Sequence, residues 1–174
     1  MWRKILFVSL LAVAVATGRK IELVSRMFTP DIDMTKSVAD AWETYYASQG
    51  IKFGKVVFAQ YTWETNFGHS KIFRENHNGY GMKYRREKDR TKQISLGIKN
   101  GHAYYKNHAD SVRDYARWQK RLLAERPDVT TDSMYLDMLD RYKVSWCYNC
   151  RYAEDENYTE KIKARMKELS ELKN

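Results

Sequence analysis

Glu64 is the only acidic residue in segment 59–70, AQYTWETNFGHS, whose composition is otherwise that of a buried helix. Side chains three and four positions apart are neighbours on a helix, and from Glu64 these positions hold Gln60, Tyr61, Phe67 and Gly68. None of them is a lysine or an arginine, so Glu64 has no cationic partner within its own helix. Aromatic neighbours should desolvate the carboxyl group and raise its pKa. The segment therefore predicts a general acid, which needs a proton near neutral pH, or a glutamate whose partner lies elsewhere in the fold.

The elements that must position Glu64 are mainly helical. Apolar residues recur at helical spacing in segments 34–48, 55–66, 109–126, 132–143 and 156–172. Asp31 or Asp33 can cap the first of these helices, and Ser70 can cap a short helix over 71–76. Trp63, on the helix of Glu64, is assigned to the core rather than to an exposed ligand-binding surface.

Segment 76–107 has a different character. Glycines punctuate a basic stretch with short apolar pieces such as HAYYKN, a pattern typical of irregular chain with a small β hairpin. The whole pattern predicts a mainly α (α+β) fold, in which a helical lobe and a small β-hairpin lobe leave a cleft between them.

Residues 1–16, MWRKILFVSLLAVAVA, have the layout of a secretory signal peptide. Arg3 and Lys4 precede the apolar run 5–16, which is too short to span a bilayer comfortably and ends in small residues. Cleavage before Thr17 would leave 17–174 as one exported domain in the periplasm or cell envelope, expected to be a monomer that meets the membrane only through the leader. An uncleaved N-terminal anchor is the alternative.

The formal net charge of +9 favours anionic surroundings. The basic residues are scattered among tyrosines and tryptophans, whereas a nucleic-acid binder would concentrate them, so no nucleic-acid partner is predicted. The histidines lack ligand spacing, and we therefore predict no metal and no cofactor.

Cys147 and Cys150 are the only cysteines. In an exported chain they predict a small local disulfide, with reduced thiols or a redox pair as alternatives.

Four segments resemble, in order, the motifs of one enzyme family. QYTWETNFGHS at 60–70 is similar to the Q-x-x-x-E-[S/T]-x-x-G-x-S motif of the glucosaminidase family of peptidoglycan hydrolases, similar to glycoside hydrolase family 73. NHNGYGMK at 76–83, AYYKNHADSVRDYARWQ at 103–119 and RYAEDENYTEKI at 151–162 resemble the family's later motifs. Together they span nearly the whole chain after the leader.

The resemblance implies a lysozyme-like fold and hydrolysis of the β-1,4 bond after N-acetylglucosamine in peptidoglycan glycan strands, with Glu64 as the general acid. It implies that Tyr152 positions the substrate or orients the attacking water, a core position beside Cys150 being the alternative. Residues that match segments expected to border the sugar are Asn78, Tyr80, Gly81 and Tyr105. Asn76 and His77 are expected to brace that loop, and Ser111, Asp114 and Tyr115 to hold helix and β lobe together.

A second catalytic carboxylate is harder to assign. Glycosidases generally use two, about 5 to 9.5 Å apart. Glu75, Glu87, Asp89 and Asp110 are the only candidates near the β lobe, and for Glu87 and Asp89 the segment RREKDR favours a solvated loop. We favour a single essential carboxylate, assisted by the substrate's own 2-acetamido oxygen or by a water held by Tyr152.

Two other functions fit parts of the pattern. A lytic transglycosylase or a muramidase would use the same Glu64 on the other glycosidic bond. A non-catalytic peptidoglycan-binding envelope protein could keep the fold without the chemistry, although the intact acid and its flanking residues argue against it.

Overall fold

The computed structural model describes residues 34–84 and 94–172, except for the side chains of residues 148 and 149. The predicted leader and the candidate acids Glu87 and Asp89 lie outside the described residues. Helices dominate: α1 (Lys36–Ser48), α2 (Gly54–Thr65), α3 (Lys71–Asn76), α4 (His108–Ala124), α5 (Asp132–Asp140) and α6 (Tyr158–Ser170). Two antiparallel hairpins accompany them, β1 (Gly97–Lys99) with β2 (His102–Tyr104) and β3 (Tyr142–Val144) with β4 (Cys147–Cys150). The predicted mainly α fold class with a small β-hairpin lobe is confirmed.

Side-chain caps define where the helices begin. The Thr35 hydroxyl accepts a bond of 3.4 Å from the Val38 N–H, so α1 is capped by Thr35 and the prediction of Asp31 or Asp33 is wrong. The predicted Ser70 cap of α3 is confirmed, since its hydroxyl accepts from the Phe73 N–H at 3.2 Å. Each such cap stabilises a helix by about 1 kcal/mol.

Helix α2 lies in the middle of the domain and packs against both α1 and α6. It is buried around most of its circumference, as expected for a helix with apolar residues on all sides. Its buried residues are Val56, Val57, Phe58, Ala59, Gln60, Tyr61, Thr62 and Thr65. The helix ends at Asn66, whose φ of 47° is left-handed, a conformation that asparagine adopts more readily than most residues. Glu64 therefore lies in the last turn of α2.

Aromatic rings fill the space between α1, α2, α4 and the loop after α3. The Trp42 ring lies 4.4 Å from the Tyr61 ring and 5.1 Å from the Tyr46 ring. Tyr80 of the loop lies 4.5 Å from Tyr115 of α4. Burying one large apolar side chain stabilises a fold by about 1.5–3 kcal/mol, so these rings hold the loop firmly against the helices.

Hairpin β1–β2 lies in the segment where the sequence predicts a hairpin, and its register pairs Ile98 with Ala103. Asn76, at the end of α3, anchors it to the helical lobe. The Asn76 side-chain amide donates to the Lys99 carbonyl at 2.5 Å, and the Asn76 backbone carbonyl accepts from the Tyr105 N–H at 2.9 Å. The predicted bracing role of Asn76 agrees with these bonds.

Hairpin β3–β4 replaces the end of the helix predicted over 132–143, and that prediction is wrong for the last residues. Helix α5 stops at Asp140, and Tyr142 pairs with Cys150. Buried Tyr142 and neighbouring Val144 are aromatic and β-branched, which suits a strand. The sulfur atoms of Cys147 and Cys150 are bonded, closing the second strand on itself. Among the described helices, none is long and apolar enough to cross a bilayer.

Candidate active site

The turn after α2 explains the spacing around Glu64. The Thr65 hydroxyl donates to the Tyr61 carbonyl at 2.7 Å and accepts from the Gly68 N–H at 3.1 Å. Gly68 has a φ of 89°, which favours glycine, and Ser70 then caps the next helix. Thr65, Gly68 and Ser70 of the E-T-x-x-G-x-S pattern thus help to end α2 just after Glu64 and to start α3.

The Glu64 carboxyl group meets the backbone of the loop between α3 and β1. A Cβ atom added at Gly81 would lie 3.0 Å from Oε2 of Glu64 and 3.5 Å from its carboxyl carbon. Gly81 also has a φ of 62°, in the left-handed region that glycine adopts without strain. Glycine at this position therefore lets the loop backbone reach the carboxyl group.

Burial raises the pKa of the Glu64 carboxyl above its usual value, as the sequence predicts. A hydrogen bond from the Tyr158 hydroxyl and the positive charge of Lys83 oppose that rise and lower the pKa in part. The side chain is only half-buried, so a substrate can reach it. The arrangement suits a group that holds a proton and is stabilised after losing it.

Sequence reasoning did not single out Tyr158, Lys83 or Gln60, although all three lie in or beside the quoted motifs. Tyr158 begins α6 and is buried; its hydroxyl accepts from the Gln60 amide at 3.2 Å. Lys83 ends segment 76–83, and its Nζ lies 3.2 Å from Nε2 of His102. The sequence signal for these residues was their place in the motifs: Gln60 lies four residues before Glu64, Lys83 ends segment 76–83, and Tyr158 lies within segment 151–162.

Asn78 and Tyr80 shape the loop from inside. The Asn78 amide donates to the Met82 and Ala103 carbonyls at 2.9 and 3.0 Å, and its oxygen accepts from the N–H groups of Tyr80 and Met82. The Tyr80 hydroxyl is buried and donates to the Tyr46 hydroxyl at 2.9 Å. Because these polar groups are already bonded within the protein, we assign both side chains to loop support rather than to direct sugar contact. Gly81 keeps its predicted place beside the acid.

Tyr152 lies between the loop and the start of α6. Its hydroxyl donates to the Tyr80 carbonyl at 2.5 Å, and its ring lies 5.5 Å from the Tyr158 ring. Burial raises the pKa of Tyr152, and the nearby Glu64 charge contributes to that rise. The hydroxyl therefore uses its hydrogen to hold the loop, which leaves its oxygen as an acceptor.

Tyr105 and the predicted structural residues connect α4 to the β lobe. Tyr105 is buried and its hydroxyl donates to Asp114 at 2.9 Å, so its side chain is committed to the core instead of a sugar. The other carboxylate oxygen of Asp114 accepts from the Ile94 N–H at 3.1 Å. Ser111 accepts from the Gly79 N–H at 3.4 Å. These bonds agree with the expected role of Ser111 and Asp114.

Trp63 is 38% exposed, so the prediction that it belongs to the core is wrong. It faces α6, where Lys161 and Arg165 lie 5.7 and 5.9 Å from its ring. Its neighbour on the helix, Glu64, points to the loop instead. Residues adjacent in sequence are about 100° apart on a helix, which separates the two side chains.

The two acids that remain as second-carboxylate candidates within the described residues have other partners. Asp110 pairs with Arg113 of the same helix, and Glu75 accepts from the Asn100 amide at 3.0 Å. Glu87 and Asp89 lie outside the described residues, so their place is untested. In the described part of the chain, no group of acids, histidines and cysteines is arranged to hold a metal ion.

Comparison with known proteins gives two matches of different kinds. A model of the Glucosaminidase family, described as mannosyl-glycoprotein endo-beta-N-acetylglucosaminidase, matches residues 39–171. Among solved structures, the chain is similar to the catalytic domain of the autolysin Auto from Listeria monocytogenes, with 16% identity and a TM-score of 0.49, over 89% of this chain and 94% of that chain. A comparison with curated proteins gives no significant match.

Proposed function

Because the chain belongs to the glucosaminidase family, we propose that it hydrolyses the β-1,4 bond after N-acetylglucosamine in peptidoglycan, with Glu64 as the general acid. The observation that carries this proposal is the Glu64 carboxyl itself: half-buried at the end of a central helix, in reach of solvent, with its pKa raised by burial. A surface glutamate would have neither the proton nor the fixed position.

The first step uses the proton on Glu64. As the bond between the anomeric carbon and the glycosidic oxygen breaks, Glu64 donates its proton to that oxygen. The carboxylate left behind is stabilised by the Tyr158 hydroxyl and by the charge of Lys83, the same groups that lower its pKa. Burial holds the proton before the step, and these two groups accommodate the charge after it.

The second step needs a nucleophile at the anomeric carbon. We propose the 2-acetamido oxygen of the substrate, which would form a cyclic intermediate that water opens while Glu64 takes back the proton. Direct attack by a water is the alternative, with the free acceptor side of the Tyr152 hydroxyl as its holder. The first route consumes one water, whose proton returns to Glu64. The direct route also consumes one water, whose proton passes to solvent, and solvent then reprotonates Glu64.

We further propose that the enzyme works outside the cytoplasm. The layout of residues 1–16 supports export, and the formal charge of +9 favours an anionic wall as its surroundings. The glycan strand is then the partner that the cleft must accept, and electrostatic attraction to the wall adds to the affinity of the site.

The test is digestion of purified peptidoglycan by chain 17–174, beside its Glu64→Gln variant. Fragments are reduced with borohydride and analysed by mass spectrometry. We expect reduced N-acetylglucosamine ends from the wild type and none from Glu64→Gln. Glu160→Gln is the matched control, since Glu160 is an exposed helical glutamate paired with Lys163, and it should digest like the wild type.

The same spectra separate the competing functions. Anhydro ends, lighter by one water than hydrolytic ends, would identify a lytic transglycosylase. Reduced N-acetylmuramic acid ends would identify a muramidase. No cleavage by a folded wild type would favour a binding protein of the envelope and overturn the proposal.

A further inference from the structure

An open, basic groove lies where α4 meets the end of α1, and it has a volume of about 680 Å³. It is lined by residues 48–50 at the end of α1 and by Arg113, Arg117 and Lys120 of α4. These three cations are exposed. None of the described residues that line this α4 groove is acidic, so the charge of its lining is positive only.

The three cations form a row. Residues at positions i, i+4 and i+7 share one face of a helix, and residues 113, 117 and 120 have this spacing. With a rise of about 1.5 Å per residue, the row is about 10 Å long. Ala116 also lines the groove and is half-buried, so a small side chain leaves room beside the row. A ligand that reaches all three cations must therefore be extended.

The charges of this row are largely uncompensated. Arg113 pairs with Asp110, but Arg117 and Lys120 make no ion pair within the part of the chain that the structure describes. Cations of α6 differ in this respect, because three of them have acidic partners: Lys161 pairs with Asp155, Lys163 with Glu160, and Arg165 with Glu168. The α4 groove therefore offers free positive charge, and a concave surface of one sign concentrates its field.

Other groups beside the groove do not cancel this charge. The last carbonyls of α1 would repel an anion, but those of Tyr45, Tyr46 and Ala47 accept from the N–H groups that follow the helix, at 3.0–3.2 Å. Segment 85–93, which precedes the lining residue Ile94 in the chain, contains five basic and two acidic residues. The sequence next to the groove is therefore basic as well.

The α4 groove lies far from the Glu64 carboxyl. The side chain of Gln119, next to Lys120 in the chain, holds the Lys52 backbone in two hydrogen bonds of 2.8 and 2.9 Å. These bonds fix this part of α4 beside the start of α2. Glu64 lies ten residues after Gly54, the first residue of α2, which is about 15 Å along a helix axis. One ligand can thus bind the groove while another reaches the acid.

We propose that the α4 groove binds a linear polymer of the cell envelope that carries a phosphate in each link of its backbone. A guanidinium group can donate two parallel hydrogen bonds to a phosphate, and two of the three cations are arginines. Phosphates that follow one another along a chain can meet all three cations at once, because each contact raises the effective concentration of the next. A free phosphate ion lacks this advantage.

Two other kinds of anionic chain fit the groove less well. Carboxylates on flexible side chains must each be ordered on binding, which lowers affinity, whereas phosphates within a backbone already lie in line. Single-stranded nucleic acids bind through bases that stack on aromatic side chains, and no described residue lining the groove is aromatic. Binding here would hold the protein at an anionic surface and does not depend on the role of Glu64.

The test measures the affinity of the purified protein for polyphosphate by calorimetry at several salt concentrations. The variant is Arg117→Gln with Lys120→Gln, and both side chains are exposed, so the fold should persist. Removing a cation from an anionic surface weakens binding by about fivefold, so the double variant should bind about 25-fold less tightly. The slope of log K against log salt should fall by roughly two, one for each lost contact.

The matched control is Arg126→Gln with Lys163→Gln, which removes the same net charge from cations paired with Asp128 and Glu160. We expect its affinity and salt slope to stay near those of the wild type. An equal loss in the control would show that net charge alone attracts the polymer and would overturn the inference. Absence of polyphosphate binding by the folded wild type would overturn it as well.

Three further ligands test the kind of polymer. Inorganic phosphate at equal phosphate concentration should not displace polyphosphate, and polyglutamate and single-stranded DNA of equal charge should bind more weakly. Displacement by inorganic phosphate, or equal binding of either other chain, would refute a site for a phosphate backbone. Because these measurements need no substrate, failure of peptidoglycan digestion would refute the proposed function and leave the groove unaffected.

Discussion

The contact between Gly81 and Glu64 predicts the effect of one added methyl group. In Gly81→Ala the new Cβ would lie 3.0 Å from Oε2 of Glu64, which is shorter than an ordinary van der Waals contact of 3.4–4 Å. The atom it meets is an oxygen of the proposed general acid, so relief of the overlap must move either the carboxyl group or the loop by several tenths of an ångström. The substitution therefore tests whether the position of this carboxyl matters to turnover.

The expected magnitudes separate stability from activity. A non-glycine residue in the left-handed region costs about 1–2 kcal/mol, partly offset by a gain of about 0.4–1 kcal/mol from restricting the unfolded chain. The net loss of about 1 kcal/mol should lower Tm by roughly 2–4 °C in a chain of this size. A misplacement of about 1 Å at a reacting group can cost on the order of 100-fold in rate, so we expect kcat to fall by about tenfold or more.

Gly50→Ala is the matched control, because Gly50 has a φ of 75° and a Cβ added there meets nothing within 4 Å. Thermal unfolding of both variants and digestion of soluble glycan fragments form the assay. We expect similar Tm shifts, with the loss of kcat confined to Gly81→Ala. Equal activity in the two variants would refute the close approach of loop and acid.

Three further outcomes follow from the charges of the protein. Burial raises the folded-state pKa of Glu64 above its unfolded value, so this carboxyl costs stability increasingly as pH rises between the two values. Glu64→Gln should therefore raise Tm at pH values above the folded pKa and lose that gain below the unfolded pKa. A lower Tm of the variant at high pH would contradict this prediction. Glu87→Gln and Asp89→Asn should each keep most of the wild-type turnover; collapse of turnover in a folded variant would instead identify a second catalytic carboxylate. Digestion of intact walls should slow as ionic strength rises from about 0.01 to 1 M, where the screening length falls from roughly 30 to 3 Å; a rate indifferent to salt would exclude an electrostatic contribution to wall binding.

The helices and one of their caps could be predicted from the sequence alone. Helical spacing predicted the five longer described helices, and the Ser70 cap predicted the short helix α3. These features depend on residues a few positions apart. The end of α5 was mispredicted where the helical pattern continued into Tyr142. The pairing of that residue with Cys150 offered its backbone a different set of hydrogen bonds, which the local pattern does not contain.

The candidate acid was also identifiable from its neighbours in the chain. Glu64 stood out because the positions beside it on the helix hold no cation, and its aromatic neighbours in the chain predicted a raised pKa. Its motif then indicated the family. The prediction for Trp63 was wrong. This aromatic residue on a buried helix was assigned to the core, although it lies on the partly exposed side of the helix toward α6.

What lies around the carboxyl group depended on residues far away in the chain. Gly81 approaches from the loop after α3, and Tyr158, which lowers the pKa of the carboxyl, approaches from the start of α6. Residue types and spacing restrict the local backbone and name the group that can hold a proton. The strength of that acid depends on burial and on the side chains that meet the carboxyl, Tyr158 and Lys83, and both arise only when distant segments pack together.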